Sequence, residues 1–472
     1  MKEDNIKESF FYSSLQLNNQ FQTYDEFKDW FKLHCKPEEF RVEQRPIVEL
    51  EKWCVDEGRT RVFHESGRFF SIEGLHVDID GKDGWDQPII NQPEIGFLGF
   101  ITKVFNGVRY FLMQVKMEPG NINTLQISPS LQATKSNFTQ VHAGKRPSYL
   151  EYFNGEKNVK ILVDQLQSEQ GGRFYHKRNR NIVIEIDDYI ELYDNYCWLT
   201  LGELKKLLSE NNFLNMDTRS VLSTIPLIED DVIDWFKNDI SRVNEINFSE
   251  IGKKYFKSFV SNYSLHTIID IISWYTNQKM KHEVVVTKKP LCQLSGWVFD
   301  GNEIKNSDRF FSVIGVKISA GSREVNHWMQ PLLKDPNIGL LAFITKKMNG
   351  VLHFLVQAKM EPGNRDIIDL SPTVSCSNYA YRIKANESIP FMLDEVLNPA
   401  NNALHDSLQS EEGGRFYMIQ NRNMIVEIPE DKMVDIPENY IWMTLRQVKE
   451  FMRHGMFNIE ARSIISSINF IL

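Results

Sequence analysis

The chain has 472 residues and a formal net charge of −9 at pH 7, from 54 basic and 63 acidic side chains. This balance argues against a nucleic-acid-binding protein, which usually carries a basic domain. Apolar residues make up 42% and charged residues 25%, as in globular proteins with a packed core, so the length predicts two or three domains.

The chain shows no sign of membrane or export targeting. No stretch approaches the roughly 18 apolar residues of a membrane-spanning helix. The N-terminal sequence MKEDNIKESFF lacks the apolar core of a signal peptide. The five cysteines are odd in number and lack metal-ligand spacing, which predicts buried thiols in a cytoplasmic protein.

Residues 1–60 read as helix followed by turn, since YDEFKDWFKLHC carries apolar residues at helical spacing. From about residue 62 strands are predicted, including two runs joined by Asn106-Gly107, a strong hairpin signal. A further strand is predicted at 181–186. Thr200, three residues before Glu203, forms a capping box that predicts a helix over 200–211. Residues 229–290 look mostly helical.

The same elements then recur. Residues 96–121 and 339–364 share 18 of 26 identities, both ending in KMEPGN, and residues 167–186 and 409–428 share 13 of 20. The helical lead-ins 25–32 and 230–237 also match. A period this long indicates a duplicated domain rather than a solenoid. We expect an α+β protein with a first repeat at 1–228 and a second at 229–472, each with a helical arm.

Three shared motifs are candidates for ligand binding. KMEPGN is either a turn alone or a pocket edge carrying Lys116 and Glu118, with Lys359 and Glu361 in the second copy. The paired glycines of QSEQGGRFY are either a bulge or an anion-binding loop, in which consecutive amides approach a ligand. The helix that begins at Thr200, or at Thr444 in the second copy, is either simply capped or binds phosphate. Trp85 and Trp328 are core residues or platforms for a nucleobase.

The differences between the copies concentrate cationic and titratable groups in the first. His176, Lys177 and Arg178 correspond to Met418, Ile419 and Gln420, and the segment with His142 lacks a close counterpart. Two explanations remain open. These side chains form a solvated basic edge, or the first copy holds a working pocket and the second copy only a relic of one.

With these motifs the chain resembles the NDP-hexose 2,3-dehydratases of deoxysugar biosynthesis. The resemblance rests on the doubled VQAKMEPGN, LSPSLQATKSNF, VHAGKRPSYLEYF, QSEQGGRFYHKRNRN, WLTLGELKKLL and NMDTRSVLSTI, and covers the chain from about residue 60 onward. It implies two tandem Nudix-like domains, a homodimer, a dTDP-linked 4-keto-6-deoxyglucose substrate and two nucleotide-sugar pockets per chain.

The resemblance also implies site residues. Expected catalytic residues are Glu169, His142 and His176 for acid–base work and Lys177 or Arg178 for the oxyanion. Expected substrate-binding residues are Trp85, Lys116, Ser168, Gln170, Gly171, Gly172, Arg173, Arg180, Thr200, Arg219, Trp328, Ser410, Glu411, Glu412, Gly413, Gly414, Arg415 and Thr444.

The implied reaction is removal of water across sugar carbons 2 and 3, and it needs neither a metal nor a redox cofactor. The metal-binding helix of Nudix hydrolases is missing, since the predicted helix at 200–211 has only Glu203 and Glu210. The alternatives are a Nudix-type nucleotide-sugar pyrophosphatase and a non-catalytic nucleotide-sugar-binding protein. Nucleic acid and membrane are not expected partners.

Overall fold

The structure is a computed structural model that describes residues 9–36, 39–82, 84–138, 146–228, 232–234, 246–306, 311–321, 326–377, 379–384, 389–399 and 402–472. It is a mixed α+β fold of two similar halves. Among the described residues, no helix has the length and apolar character needed to cross a membrane.

The first half begins with helices and continues as strands. Its helices are α1 (Phe10–Ser14), α2 (Tyr24–His34), α3 (Lys135–Phe138), α4 (Leu201–Leu207) and α5 (Met216–Thr224). Its strands are β1 (Phe40–Arg45), β2 (Trp53–Val55), β3 (Arg61–His64), β4 (Ser71–Ile79), β5 (Trp85–Asn91), β6 (Phe97–Phe105), β7 (Val108–Met117), β8 (Leu125–Ser128), β9 (Leu131–Ala133), β10 (Lys160–Ser168), β11 (Arg178–Glu185) and β12 (Tyr196–Thr200).

The second half repeats this order. Its helices are α6 (Glu250–Val260), α7 (Ile268–Lys281), α8 (Tyr379–Lys384), α9 (Leu393–Leu397), α10 (Leu445–Arg453) and α11 (Ile459–Ser466). Its strands are β13 (Val284–Lys289), β14 (Trp297–Phe299), β15 (Glu303–Asn306), β16 (Ser312–Ala320), β17 (His327–Lys334), β18 (Gly339–Met348), β19 (Val351–Lys359), β20 (Asp369–Ser371), β21 (Val374–Cys376), β22 (Ala403–Ser410), β23 (Gln420–Ile428) and β24 (Tyr440–Thr444).

Each half builds one large mixed sheet. The first has the order β10-β11-β6-β7-β12, with β8 on β7 and β9 on β6, and the second repeats it with β22-β23-β18-β19-β20, β21 on β18 and β24 on β19. The pairs β11–β6 and β23–β18 are parallel. The predicted hairpin turns are confirmed: Asn106 and Gly107 have φ of 51° and 79°, and Asn349 and Gly350 have 51° and 72°.

The two small sheets exchange strands between the copies. Strand β1 of the first copy pairs antiparallel with β16 of the second, and β13 of the second pairs with β4 of the first. The prediction of helix and turn over 1–60 missed β1, and the prediction of helices over 229–290 missed β13. Neither small sheet is therefore complete without the other copy.

The apolar interior is also shared. One cluster of buried side chains runs through both copies and includes Phe100 and Phe111 of the first with Phe343, Phe354 and Phe470 of the second, none more than 1% exposed. Burial of this shared apolar surface favours a single cooperative body.

The predicted helix starts are confirmed, but the cysteine prediction is mostly wrong. Thr200 and Thr444 begin α4 and α10 with capping boxes completed by Glu203 and Gln447. Of the five thiols only Cys197 is buried, whereas Cys35 and Cys292 are exposed and the other two lie between these extremes. The second lead-in motif, 230–237, falls largely outside the described residues.

Candidate functional site

The glycine-paired loop of each copy packs over the KMEPGN turn of the other. Gly120 N donates to Gly413 O at 2.7 Å, and Gly363 N donates to Gly171 O at the same distance. A Cβ on Gly413 would lie 2.2 Å from Asn121 Oδ1, so the position admits only glycine without movement. The two motifs that recur in the sequence therefore meet each other across the copies.

This contact changes the reading of the glycine-paired loop. We expected the backbone at Ser168, Gly171 and Gly172, and at Ser410, Gly413 and Gly414, to bind an anion. Instead Gly171 O and Gly413 O accept from the opposite turn, and Gly413 is covered by it. The serines also bond across the copies, Ser168 Oγ to Asp369 Oδ2 at 3.4 Å and Ser410 Oγ to Gln126 Oε1 at 3.1 Å.

Arg219 serves the same interface and does not face a ligand cavity. Its side chain is 1% exposed, and it donates to Ser463 Oγ at 2.9 Å and to the backbone oxygen of Ser410. Arg462 repeats these contacts in reverse, donating to Ser168 O at 2.6 Å. Each arginine of α5 and α11 thus fixes the base of the opposite glycine-paired loop, and all three guanidinium nitrogens of Arg219 have protein partners.

Three other expected ligand residues also have local partners. Thr200 is fully buried, its hydroxyl donates to Gln16 O at 2.6 Å, and the N-terminal segment covers this helix end. Thr444 is 3% exposed and caps α10 through the backbone N–H of Gln447. Arg180 forms a bidentate pair with Asp164 at 2.7 and 2.6 Å. The structure places all three outside the cavity described next.

A cavity of about 410 Å³ opens where the first large sheet meets residues of both copies. This volume lies in the range of small-molecule sites. The first copy contributes residues from its small sheet, the ends of β7 and β9, and the 169–179 segment. The second copy contributes residues 327–330 at the start of β17 and the loop residues Glu412, Gly414 and Arg415. Neither copy encloses this space alone.

Lys177 and Glu169 lie side by side in the cavity wall, each 5% exposed. Glu169 N donates to Lys177 O at 3.0 Å, which holds the two residues opposite each other just beyond the paired ends of β10 and β11. Burial lowers the pKa of Lys177 to about 8, although the Glu169 charge favours the ammonium. Burial raises the pKa of Glu169, although Arg462 and Lys177 oppose the rise. The ammonium donates to Glu94 O.

A second buried carboxylate, Glu118, faces the same cavity. Gln132 Nε2 donates to its Oε1 at 3.0 Å, and Lys116 Nζ lies 3.3 Å from that oxygen. Among the described residues, neither Glu118 Oε2 nor Glu169 Oε2 has a hydrogen-bond partner. A buried polar atom without a partner calls for an explanation, for which a catalytic role or a bound ligand is one candidate.

The second copy completes the wall with Arg415 and Glu412. The Arg415 guanidinium stacks on the ring of Phe70, 4.1 Å from its centre, and donates to Gln92 Oε1 at 3.3 Å. Burial raises the pKa of Glu412 to about 7, and the charges of Glu118 and Glu169 add to the rise. Asp217, on the first turn of α5, also has a raised pKa, mainly because it is buried.

Aromatic side chains line a further part of the cavity, next to Phe70. Trp53, His64, Phe69 and Trp328 line it, and Trp53 Nε1 donates to Met329 O at 2.7 Å. Rings placed in this way offer flat faces to a planar ligand group. Trp85, the counterpart of Trp328, is 42% exposed and lies outside this cavity.

The equivalent site in the second copy, to which the first copy's glycine-paired loop contributes, has different surroundings. Arg173 stacks on Phe311 at 3.9 Å and lies 3.9 Å from Asp335, and Gln170 Nε2 donates to Glu411. Ile419, 8% exposed, replaces Lys177. Gln170, Arg173 and Glu411 therefore belong to the second copy's counterpart of this site.

The remaining expected catalytic residues are not brought into the cavity. His142 lies outside the described residues. His176 is exposed, and the centre of its ring lies 4.0 Å from that of Tyr175, on which it stacks. Arg178, the first residue of β11, lies opposite Ser168, the last residue of β10. The charge of Arg365, in the second copy's turn, lowers the pKa of both His176 and Arg178 after the effect of burial.

Sequence reasoning missed several lining residues, among them Trp53, His64, Gln132, Asn179 and Asp217. Asp217 and Asn179 stand in segments that the two copies share in part, so that alignment of the copies could have found them. Trp53 has a counterpart in Trp297, so comparison of the copies could have found it as well. His64 carries no such signal, because Asn306 holds its place in the second copy.

Comparison with known proteins identifies the family. The family model described as NDP-hexose 2,3-dehydratase matches residues 24–225 and again 269–468. The chain is 39% identical over 464 residues to the dTDP-4-dehydro-6-deoxy-alpha-D-glucopyranose 2,3-dehydratase of Saccharopolyspora spinosa, covering 97% of this chain and 93% of the relative. The enzymes of the same name from Amycolatopsis orientalis and Streptomyces violaceoruber are 38% and 39% identical, covering 95% and 94% of this chain and 91% and 96% of the relatives. Since both repeats match the family model and nearly the whole chain is covered, the chain belongs to the NDP-hexose 2,3-dehydratase family.

Proposed function

We propose that the chain removes water across carbons 2 and 3 of dTDP-4-keto-6-deoxyglucose to give a 3,4-diketo-2,6-dideoxy sugar nucleotide. The observation that carries the proposal is the composite cavity, whose wall holds buried Lys177 together with the carboxyl groups of Glu118 and Glu169. The substrate is the one after which the relatives that match nearly the whole chain are named.

The chemistry follows from the keto group at carbon 4. It acidifies the hydrogen on carbon 3, so that a carboxylate can remove that proton and an enolate forms. In our assignment Glu169 is the base, because burial has raised its pKa and thereby strengthens the carboxylate as a proton acceptor. Lys177 stabilises the enolate oxygen, an effect typically worth about 3–4 kcal/mol per donor in a water-poor site.

The rest of the substrate would occupy the cationic and aromatic parts of the cavity. Arg415 and Lys116 provide positive charge for the diphosphate, with Arg415 held by stacking on Phe70. The rings of Trp53 and Trp328 provide a place for the thymine base. Bidentate guanidinium groups suit phosphate oxygens better than single ammonium groups do.

Incubation of the purified chain with dTDP-4-keto-6-deoxyglucose tests the proposal. Mass analysis should show loss of one water molecule from an intact sugar nucleotide. Release of dTMP and a sugar phosphate would instead indicate a pyrophosphatase. Binding without any change of the sugar nucleotide would indicate a sensor. Either result would overturn the proposed reaction.

The proposal extends to three broader properties. We propose that the protein acts in the cytoplasm and that each copy is Nudix-like, which the single parallel strand pair in each large mixed sheet supports. We also propose that it is a homodimer. The apolar face of α2 does not serve this purpose, because Phe27 is 1% exposed and packs on Phe213 of the same chain.

Helix α7 is a better dimer surface. Ile269, Ile272 and Met280 are 77%, 49% and 77% exposed, and with the exposed Thr276 they form one stripe. The first copy carries Asp25, Lys28 and Lys32 at the equivalent places of α2, and Lys36 just beyond the end of that helix. Two such helices packed antiparallel would bring Asp270 near the helix start beside Lys281 near the partner's helix end, where the charges attract.

A further inference from the structure

The second copy supplies an acid to the first copy's cavity. Gly414 N donates to Glu412 Oε1 at 2.9 Å, and Gln330 Nε2 donates to Gly414 O at 2.7 Å. Gly413, next to Glu412, rests against Glu118 and Asn121 of the first copy. Within the described part of the chain, no donor reaches Glu412 Oε2. One oxygen is therefore anchored and the other is available to a group in the cavity.

Glu412 lies in a cluster of carboxyl groups. Glu118, Glu169 and Asp217 line the same cavity, and the first two push the pKa of Glu412 further upward after burial has raised it. Neighbouring carboxylates in a buried site do not all ionise at neutral pH, because each charge disfavours the next. The cluster therefore retains a proton, although the Arg415 charge opposes it.

Of the three glutamates that line the cavity, Glu118 and Glu169 are each 5% exposed, whereas Glu412 is only partly buried. The carboxyl group of Glu412 is thus the most accessible of the three to a ligand that needs a proton.

The second copy shows what the cavity looks like without this acid. Gln170 occupies the position that corresponds to Glu412, and its amide donates to Glu411. Ile419 occupies the position that corresponds to Lys177. The counterpart site therefore has no carboxyl group at the position of Glu412 and no ammonium group at the position of Lys177.

We propose that Glu412 is the general acid that protonates the hydroxyl leaving carbon 2 of the hexose. This role rests on the proposed dehydratase function. Glu169 takes the proton from carbon 3, and the electron pair of that C–H bond forms the enolate at carbons 3 and 4. As the C2–O bond breaks, this electron pair forms the double bond between carbons 2 and 3.

The oxygen departs with the Glu412 proton as water, the ketone at carbon 4 re-forms, and the enol at carbon 3 shifts its proton to carbon 2. Glu169 has gained one proton and Glu412 has lost one, and exchange with solvent restores both. The net change is the loss of one water molecule.

The test separates the two proton transfers. Glu412→Gln removes the acid with little change of shape. Elimination of water should fall at least ~100-fold, within the range expected for loss of a general acid. Exchange of the carbon-3 hydrogen of recovered substrate with deuterium oxide should persist within about tenfold of wild type, since one factor of ten is only about 1.4 kcal/mol of barrier. Glu430→Gln, at an exposed glutamate of the same copy, should change neither rate.

Other outcomes overturn the role. Elimination at the wild-type rate in Glu412→Gln would do so, and so would loss of exchange together with elimination in protein that melts like wild type. If the glutamine variant melts early, Glu412→Asp keeps a carboxyl group and should eliminate water at least ~10-fold faster than the glutamine variant, by the same acid–base reasoning. Equal rates in the two would refute the role. If wild type shows neither exchange nor water loss, the proposed function fails first and takes this role with it.

Discussion

Lys177 and Arg178 are adjacent in sequence, but only Lys177 lines the cavity. Lys177→Met should therefore lower turnover at least ~100-fold, the scale for losing one oxyanion donor. Arg178→Gln should leave turnover within about tenfold, or roughly 1.4 kcal/mol of barrier. Steady-state assays of both single variants check this, with thermal melting as the folding control. Equal losses in the two variants would contradict the assignment of Lys177 to the enolate.

The same lysine predicts an effect of pH on stability. Burial lowers its pKa to about 8 in the folded chain from the usual 10.5 of a lysine side chain, because burial disfavours the ammonium. The unfolded chain binds more protons between these values, and stability should rise with pH across this window. Below pH 8 the buried ammonium lowers the free energy of unfolding by its full cost, on the order of 3 kcal/mol. Lys177→Met should melt higher than wild type at pH 7 and lose this rise, which melting curves from pH 7 to 10.5 would show.

Comparison of the two copies in the sequence predicts some residues of the cavity wall and misleads on others. It singles out Lys177, which lines the cavity, because a cation that becomes Ile419 stands out. It misleads on Arg219, because a shared arginine suits a diphosphate as well as a buried clamp between the copies. Only the burial of Arg219 and its contact with Ser463 separate these readings. The local sequence does not encode that contact.

At the scale of elements, the glycine-paired loop depends on a close approach of the two copies. In Gly413→Ala the new Cβ would meet Asn121 Oδ1 at 2.2 Å and Glu118 Cβ at 2.9 Å. Relief of such overlap typically costs about 1–3 kcal/mol and moves the loop that carries Glu412 and Arg415. Melting temperature and turnover should both fall. Gly172→Ala is the matched control, because its Cβ would meet Glu361 Oε1 at an ordinary 3.4 Å. An unaffected Gly413→Ala protein would refute the close packing.

The sequence predicted the large sheets well and the small sheets poorly, for a physical reason. Asn-Gly turns and apolar runs are local signals, and β6, β7 and β11 are found where those signals stand. Strand β1 (FRVEQR) is mostly polar, and no residue of strand β13 (VVVTKK) is fully buried. Each pairs with a strand more than 200 residues away in the chain. Strand pairing of this kind depends on the tertiary context rather than on propensity.

For the whole molecule, the exchanged strands predict that neither copy folds correctly alone. A chain divided between residues 240 and 241 tests this with the two fragments produced separately or together. The first fragment alone lacks β13 and the loop with Glu412 and Arg415, so it should not turn over substrate. Co-produced fragments should associate and regain turnover, because every cavity residue is then present. Activity of the first fragment alone would contradict the composite site.

The dimer surface leads to a further prediction, which separates assembly from catalysis. Ile269→Asp with Ile272→Lys gives α7 the residues that α2 carries as Asp25 and Lys28. If α7 pairs with α7 of a second chain, charges on the stripe should leave a monomer, whereas wild type should scatter light as a dimer at micromolar concentration. Met433→Lys is the control, since that residue is 93% exposed on another element.

The monomeric variant should keep its turnover within about tenfold, or roughly 1.4 kcal/mol of barrier. Its β1 and β13 exchange within one chain, and so does the loop that delivers Glu412. A wild-type monomer, or a double variant that stays dimeric, would exclude α7 as the dimer surface. A monomer without activity would show instead that the second chain contributes to the site, which the composition of the cavity from both halves of one chain argues against.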